Sequence, residues 1–140
     1  MPAGAVQVLN VHLRPPSGEL LSIAMGGGRL GEIHQREIEA LLSKAEPDKP
    51  VLVVGDFNEP EGWPATRWLM DQGYESAFSR LDPRPGTCCV RFAGLEMFVA
   101  VDHMFHTRRL TCTDAAVIAE DTSDHRPLRA EFRVTPLARR

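Results

Sequence analysis

The stretch Val51-Leu52-Val53-Val54-Gly55-Asp56-Phe57-Asn58 decides the fold of this 140-residue chain. Its first four residues form a short, wholly apolar run, which predicts a strand buried on both faces of a sheet. The run stops at a glycine, and an acid and an amide follow at once. Loops at the ends of strands carry functional groups on a rigid support. An Asx turn, in which Asp56 hydrogen-bonds the backbone near Asn58, is the structural alternative.

Strands and helices alternate on both sides of this stretch. Residues 6–13 alternate apolar and polar side chains and predict a strand. After a flexible joint at Gly26-Gly27-Gly28, residues 30–45 predict a helix. Its apolar face contains Leu30, Ile33, Leu41, Leu42 and Ala45, with Ile38 at the margin. A short helix from Pro64 to Gln72, with Gly73 as its cap, and later strands at 97–105, 115–119 and 128–134 complete the pattern. This order predicts an α+β fold, a mixed sheet with helices on one face.

Composition limits the class of protein. Apolar residues make up 43% of the chain and charged residues 25%, which is typical of one soluble domain spanning residues 1–140. No apolar run is long enough to span a membrane, and no secretory signal is recognised. Three cysteines predict reduced thiols and a cytoplasmic location. The net charge of -3 argues against a protein that coats nucleic acid, but not against a nuclease, because a metal ion neutralises phosphate locally.

Acids, amides and histidines gather at the ends of the predicted strands. The set consists of His12, Asp56, Asn58, Asp102, His103, Asp121, Asp124 and His125. Asp102 lies within an apolar run, so its burial requires a cation or a histidine as partner. The other residues have structural alternatives: His12 as a partly buried, hydrogen-bonded histidine, Asp124 as a turn cap and His125 as a solvated loop residue.

Further histidines and cysteines are assigned structural roles. His34, His103 and His106 are interpreted as ordinary structural histidines. Cys88 and Cys89 lack the second pair of ligands that a zinc site needs. The strand-end residues, in contrast, make a chemical set, because carboxylates and an amide bind a hard cation such as Mg²⁺ and a histidine oriented by a carboxylate activates a nucleophile.

Four short motifs occur in order along the chain. They are Asn10-Val11-His12-Leu13, Gly55-Asp56-Phe57-Asn58, Val101-Asp102-His103-Met104-Phe105 and Ser123-Asp124-His125-Arg126-Pro127-Leu128. With Arg36-Glu37-Ile38 on the first helix, they resemble the endonuclease/exonuclease/phosphatase superfamily, whose fold is DNase I-like. The resemblance covers residues 6–134.

The resemblance implies hydrolysis of a phosphoester by direct water attack, dependent on Mg²⁺ or Mn²⁺. It implies a catalytic set of His12, Asp56, Asn58, Asp102 and His125. Asp56 and Asn58 would orient the water, His12 would donate to the phosphate, and Asp102 would pair with His125. Asp124 would join Asp56 and Asn58 at the metal. Substrates of the resembled proteins include nucleic acids, nucleotides and phospholipid headgroups.

Two departures from the family pattern matter. Thr87-Cys88-Cys89 stands where the family has threonine and tryptophan, which leaves the substrate open. Family members also carry a first half that supplies an asparagine, a glutamate and one of two packed sheets. We therefore expect only the C-terminal half of a DNase I-like α/β sandwich, with an apolar face covered by a second copy in a homodimer or by a first-half partner chain. The alternatives are a catalytically inactive half-domain that binds or pairs, and a structural α/β domain.

Overall fold

The computed structural model of the chain describes residues 5–16, 28–81, 84–92, 94–120 and 122–135. It contains two helices and eight strands over these residues. In chain order they are β1 (Gln7–His12), α1 (Gly28–Leu42), β2 (Val51–Asp56), α2 (Pro64–Asp71), β3 (Glu75–Ser76), β4 (Cys88–Phe92), β5 (Leu95–Val99), β6 (Asp102–His106), β7 (Leu110–Val117) and β8 (Leu128–Val134).

A four-stranded mixed sheet organises these elements. Its order is β1-β2-β6-β3, with β1 parallel to β2 and the other pairs antiparallel. The strands β4 and β5 form one separate hairpin, and β7 and β8 form another. The predicted mixed α/β architecture is confirmed, although the last strands lie outside the main sheet.

Both helices supply the core on one face of the sheet. The buried apolar cluster takes its members from β1, β2, β6, α1, α2 and the loops after β1 and β2. It contains Val11, Leu13, Ile38, Val51, Val53, Phe57, Ala65, Leu69 and Phe105. The helices approach closely where Gly31 meets Pro64, since a Cβ at Gly31 would lie 2.5 Å from Pro64 Cγ. Ile38 is fully buried at the centre of the helix face, so its predicted marginal place is wrong. The reason is that the helix turns Gly31, His34 and Ile38, at spacings of three and four residues, toward the sheet.

The opposite face of the sheet is only partly covered. Along β2 the side chains of Val51 and Val53 are buried, whereas those of Leu52 and Val54 stay partly exposed, so the prediction of burial on both faces is wrong. The β7–β8 hairpin covers one end of this face, where the Phe132 ring lies 5.2 Å from the ring of His106. On β1, in the same row across the sheet, Val8 is 57% exposed.

The strand predicted at 97–105 is two strands, β5 and β6. The chain turns between them at residues 100–101. Val101 O still accepts Phe57 N–H (2.9 Å), which continues the pairing of β6 with β2, whereas Val101 N–H donates to Thr87 Oγ1 (3.1 Å). The strand predicted at 115–119 belongs to the longer β7, which is bulged at Cys112/Asp114. The strands β3 and β4 were not predicted.

The short helix α2 ends as predicted. Gly73 adopts a φ of 87° after the helix, and its N–H donates to Met70 O (2.9 Å) while Tyr74 N–H donates to Leu69 O (3.1 Å). This pair of bonds is a Schellman motif, which satisfies the last helical carbonyls. Gly26 and Gly27 of the predicted joint, and the acid Asp121, lie outside the described residues. Over the part of the chain that is described, no helix is long and apolar enough to cross a membrane.

Candidate active site

The predicted site residues other than Asp124 meet at one end of the four-stranded sheet, where β1 and β2 end and β6 begins. The register places His12 beside Asp56 on the parallel pair, and Asp56 beside Asp102 on the antiparallel pair. Laterally paired residues share a face, so these three side chains project from the face opposite the helices. His125 joins them from the loop between β7 and β8, where its backbone forms an isolated β-bridge with Cys88 of β4.

The loop after β2 is shaped by Gly55 and Asp56. Gly55 has a φ of 134°, and a Cβ there would lie 2.0 Å from Val11 O, so only glycine allows β2 to run this close to β1. Asp56 Oδ1 accepts the N–H of Asn58 (2.8 Å), which makes the Asx turn of the structural alternative. Asn58 holds a φ of 51° and donates its side-chain amide to Leu13 O (2.8 Å). The turn therefore ties Asn58 to the loop after β1 and leaves its carbonyl oxygen for another partner.

Asp102 and His125 form a hydrogen-bonded pair. Asp102 Oδ2 lies 2.9 Å from His125 Nδ1, so the ring donates from that nitrogen and Nε2 remains for a reactant. Burial by itself would lower the pKa of His125. The hydrogen bond to Asp102 and the charges of Asp102, Asp56 and Asp124 outweigh burial and raise it. The pairing predicted for Asp102 is confirmed.

Asp56 and His12 form the other side of the site. Burial raises the pKa of Asp56, the Asn58 N–H opposes this, and the charge of Asp102 adds to the rise. His12 Nε2 lies 3.7 Å from Asp56 Oδ2, and the His12 side chain is 72% exposed. The alternative that His12 is a partly buried, fully bonded histidine is therefore wrong.

One group of side chains here could hold a cation. Ligand atoms of Asp56, Asp102 and His125 all lie within 4.8 Å of one another. Asp124, although adjacent to His125 in sequence, is exposed and outside this group. Its carboxylate accepts a hydrogen bond from Ser123 Oγ (3.3 Å), and its backbone carbonyl accepts one from Cys89 N–H (2.7 Å). Its membership of a metal site stays a prediction.

The Cys88 thiol adjoins the same charges. Burial, followed by the charges of Asp124, Asp102 and Asp56, raises the pKa of Cys88 to about 11. Cys88 therefore stays a neutral thiol near neutral pH. Cys88, Cys89 and Cys112 are all free.

Sequence reasoning missed the residue that joins the two halves of the Asp102–His125 pair. The fully buried Thr87 accepts the N–H groups of Val101 (3.1 Å) and Asp102 (3.0 Å) at Oγ1, and its backbone carbonyl accepts Arg126 N–H (2.7 Å). It thus binds the start of β6 to the segment that carries His125. Only its place in the Thr87-Cys88-Cys89 segment marked it in the sequence.

Three histidines fill structural positions, as the sequence predicted. His34 and His103 are fully buried and hydrogen-bonded through both ring nitrogens. His106 packs on Phe132 beside a cleft of about 500 Å³ between β3 and β7. That cleft is lined by none of the predicted site residues.

Comparison with known proteins identifies the family. The profile of the Endonuclease/Exonuclease/phosphatase family matches residues 13–125, so the chain belongs to this family. No curated protein matches the chain.

Solved structures share the fold. An endonuclease/exonuclease/phosphatase from Beutenbergia cavernae (19% identity, TM-score 0.64) covers 91% of this chain and is itself covered over 36%. The Xenopus laevis APE2 catalytic domain (20%, 0.60) covers 94% and is covered over 51%. A mannosyl-6-phosphatase from Bacteroides thetaiotaomicron (16%, 0.58) covers 90% and is covered over 50%. The chain thus spans about half, or less, of these structures.

Proposed function

We propose that this chain carries a divalent-metal-dependent phosphoesterase site that cleaves a phosphodiester or phosphomonoester by metal-assisted attack of water. The observation that carries the proposal is the Asp102–His125 pair, bonded at 2.9 Å and placed within 4.8 Å of an Asp56 oxygen. A carboxylate-oriented histidine beside a second carboxylate can orient and deprotonate water. The family to which the chain belongs supports this class of reaction.

The donor atoms fit a hard cation. Asp56 and Asn58 offer oxygens at the end of β2, and Asp124 offers an exposed carboxylate next to His125. Oxygen-rich sets of this kind favour Mg²⁺ or Mn²⁺ over zinc. When bound, the cation would neutralise negative charge on the phosphate and on the leaving oxygen.

The protein's own groups divide the remaining work. Asp56 and Asn58 orient the attacking water, and His12, exposed beside Asp56, donates to a phosphate oxygen. His125 gives its Nδ1 proton to the hydrogen bond with Asp102, so its Nε2 acts on the water or on the phosphoryl group. Asp102 touches no substrate and orients His125.

The substrate class is a phosphate ester of a nucleic acid, a nucleotide or a phospholipid headgroup. Two similar structures are the catalytic domain of APE2 and a mannosyl-6-phosphatase, whose name refers to a phosphorylated sugar. Because these two proteins differ in name, they favour hydrolysis of a phosphate ester in general over any one substrate.

We further propose a polypeptide partner, which is a second copy in a homodimer or a first-half chain. The support is the partly exposed apolar face at Val8, Leu52 and Val54, in a chain that spans half of its structural relatives. Exposed apolar surface of this kind marks interaction sites. It also favours the second candidate function, a half-domain that binds or pairs without catalysis. Sedimentation of the purified chain tests the partner, because a well-behaved monomer at micromolar concentration contradicts the homodimer.

Hydrolysis of bis-p-nitrophenyl phosphate with Mg²⁺ or Mn²⁺ tests the catalytic proposal. We expect release of nitrophenolate that EDTA abolishes and that Asp56→Ala or His125→Ala removes. Asp71→Asn, an exposed acid at the end of α2, is the matched control and should keep full activity. A folded chain that hydrolyses neither this ester nor p-nitrophenyl phosphate with either metal favours the non-catalytic half-domain.

A further inference from the structure

Glu59 follows the Asp56–Asn58 turn directly and is completely buried. The proposed reaction uses no atom of this side chain. A buried carboxylate persists only when several groups satisfy its oxygens. The groups that bond Glu59 therefore indicate its role next to the turn.

Both oxygens of Glu59 are bonded. Oε1 accepts the N–H of Thr66 (2.8 Å) in the first turn of α2, where a negative charge is also favoured by the helix dipole. Oε2 lies 3.1 Å from Nδ1 of the buried His34 on α1. The other ring nitrogen of His34 lies 2.8 Å from Arg14 O. Because Arg14 O can only accept, Nε2 of His34 donates to it, and one proton lies between Nδ1 and Glu59 Oε2.

The backbone of Glu59 is held as well. His103 Nδ1 lies 2.7 Å from an Arg84 guanidinium nitrogen, which can only donate, so the Nε2–H of His103 donates to Glu59 O (2.8 Å). Residue 59 is thus fixed through its side chain and through its carbonyl. Asn58, immediately before it, holds the left-handed φ of 51°, which is uncommon for residues other than glycine and needs surrounding support.

These contacts join the two loops that carry the site. His34 bonds Arg14 in the loop after β1, and the Asn58 amide bonds the adjacent Leu13 in the same loop. Glu59 anchors the loop after β2 to the same histidine.

We propose that Glu59 is a positioning residue that fixes the Asp56–Asn58 turn against the loop after β1. Its hydrogen bond to His34 is called the latch. The inference rests on the proposed function for its catalytic meaning, but the positioning itself is a property of this chain alone. Glu59 acts through the backbone of Asn58 and contacts neither substrate nor cation.

Three variants of the full 140-residue chain separate positioning from bulk stability. The double variant His34→Leu/Glu59→Leu removes the latch without leaving a charge buried alone. Glu59→Gln keeps the latch: its oxygen accepts from Thr66 N–H, and its amide donates to a neutral His34 whose Nε2–H still reaches Arg14 O. Ile38→Val, one turn from His34 on α1, weakens the core and keeps every hydrogen bond of Glu59, His34 and Asn58.

The first readout is amide hydrogen exchange at Asn58, whose N–H is bonded to Asp56, compared with the amides of β2. We expect the double variant to raise the exchange rate of the Asn58 amide about tenfold relative to the amides of β2, because the turn can then open while the rest of the chain stays folded. Glu59→Gln and Ile38→Val should leave this ratio within about threefold of the parent protein.

The second readout is Mn²⁺ binding followed by electron paramagnetic resonance. Loss of outer support costs a metal site at least about tenfold in affinity, so the double variant should bind Mn²⁺ about tenfold more weakly while Glu59→Gln binds as the parent does. A double variant that matches Ile38→Val in the exchange ratio overturns the positioning role. If the parent chain binds no Mn²⁺, the proposed function fails, and the exchange ratio alone still decides the role of Glu59.

Discussion

Replacing Thr87 by valine tests how the Asp102–His125 pair is assembled. Thr87 is fully buried, and its Oγ1 accepts two backbone N–H groups, those of Val101 and Asp102, at 3.1 and 3.0 Å. Valine has the same shape and offers no acceptor, so both donors lose their partner. Each unsatisfied donor costs about 1–3 kcal/mol, and because both residues are only partly buried we expect the lower end, a loss of roughly 2–3 kcal/mol in the free energy of unfolding.

Thr87→Ser is the matched control, because it keeps the oxygen and removes one methyl group. Its expected cost is about 1 kcal/mol. Urea denaturation measures both variants, and the NMR signal of the His125 ring reports whether its bond to Asp102 persists. Thr87→Val that is no less stable than Thr87→Ser, with an unchanged His125 signal, would refute the reasoning.

Three further outcomes follow from the same structure. Asp102→Asn should lower phosphodiester hydrolysis by at least about 100-fold, the usual contribution of an oriented acid–base group, with an unchanged circular dichroism spectrum; unchanged activity means that the pair is not catalytic. Calorimetry should show weak binding of Mg²⁺ or Mn²⁺ that Asp56→Ala removes, whereas tight zinc binding without a Mg²⁺ response contradicts the oxygen-rich site. Burial lowers the pKa of His34, but the bonds to Glu59 and Arg14 and the charges of Glu59 and Glu37 outweigh it and raise the pKa above 6.5. The stabilisation from this protonated ring is therefore complete below pH 6.5 and is lost as pH rises through the folded-state pKa. Denaturation across this range should show the decline, Glu59→Gln should flatten it, and a decline of equal size in that variant contradicts the assignment.

Two strands of the main sheet, β1 and β2, and both helices could be predicted from sequence because their patterns are local. The apolar run at Val51 and the alternation before His12 define two strands, and proline and glycine bound α2 at both ends. The strand break before β6 could not be predicted, because the N–H groups of Val101 and Asp102 donate to Thr87, which is distant in sequence. The same holds for Ile38, whose burial depends on how α1 rotates against the sheet.

The candidate site shows the same division. The partner of Asp102 could be expected, because an acid in an apolar strand requires one, and His125 provides it at 2.9 Å. The roles of Thr87 and Glu59 could not, because each is defined by backbone groups that only the folded chain brings close. Site residues can be recognised in a sequence by their chemistry, whereas the residues that position them are recognised only from the geometry of the folded chain.

The position at which a divalent cation binds this chain tests the proposed site most directly. Mn²⁺ added to the isotopically labelled protein broadens the NMR signals of the residues nearest to it. We expect the broadening to centre on Asp56, Asn58 and Asp102 and to disappear in Asp56→Ala. Broadening centred instead on the cleft between β3 and β7, or no broadening in the folded protein, would contradict the claim that the Asp56–Asp102–His125 group is a metal-dependent phosphoesterase site.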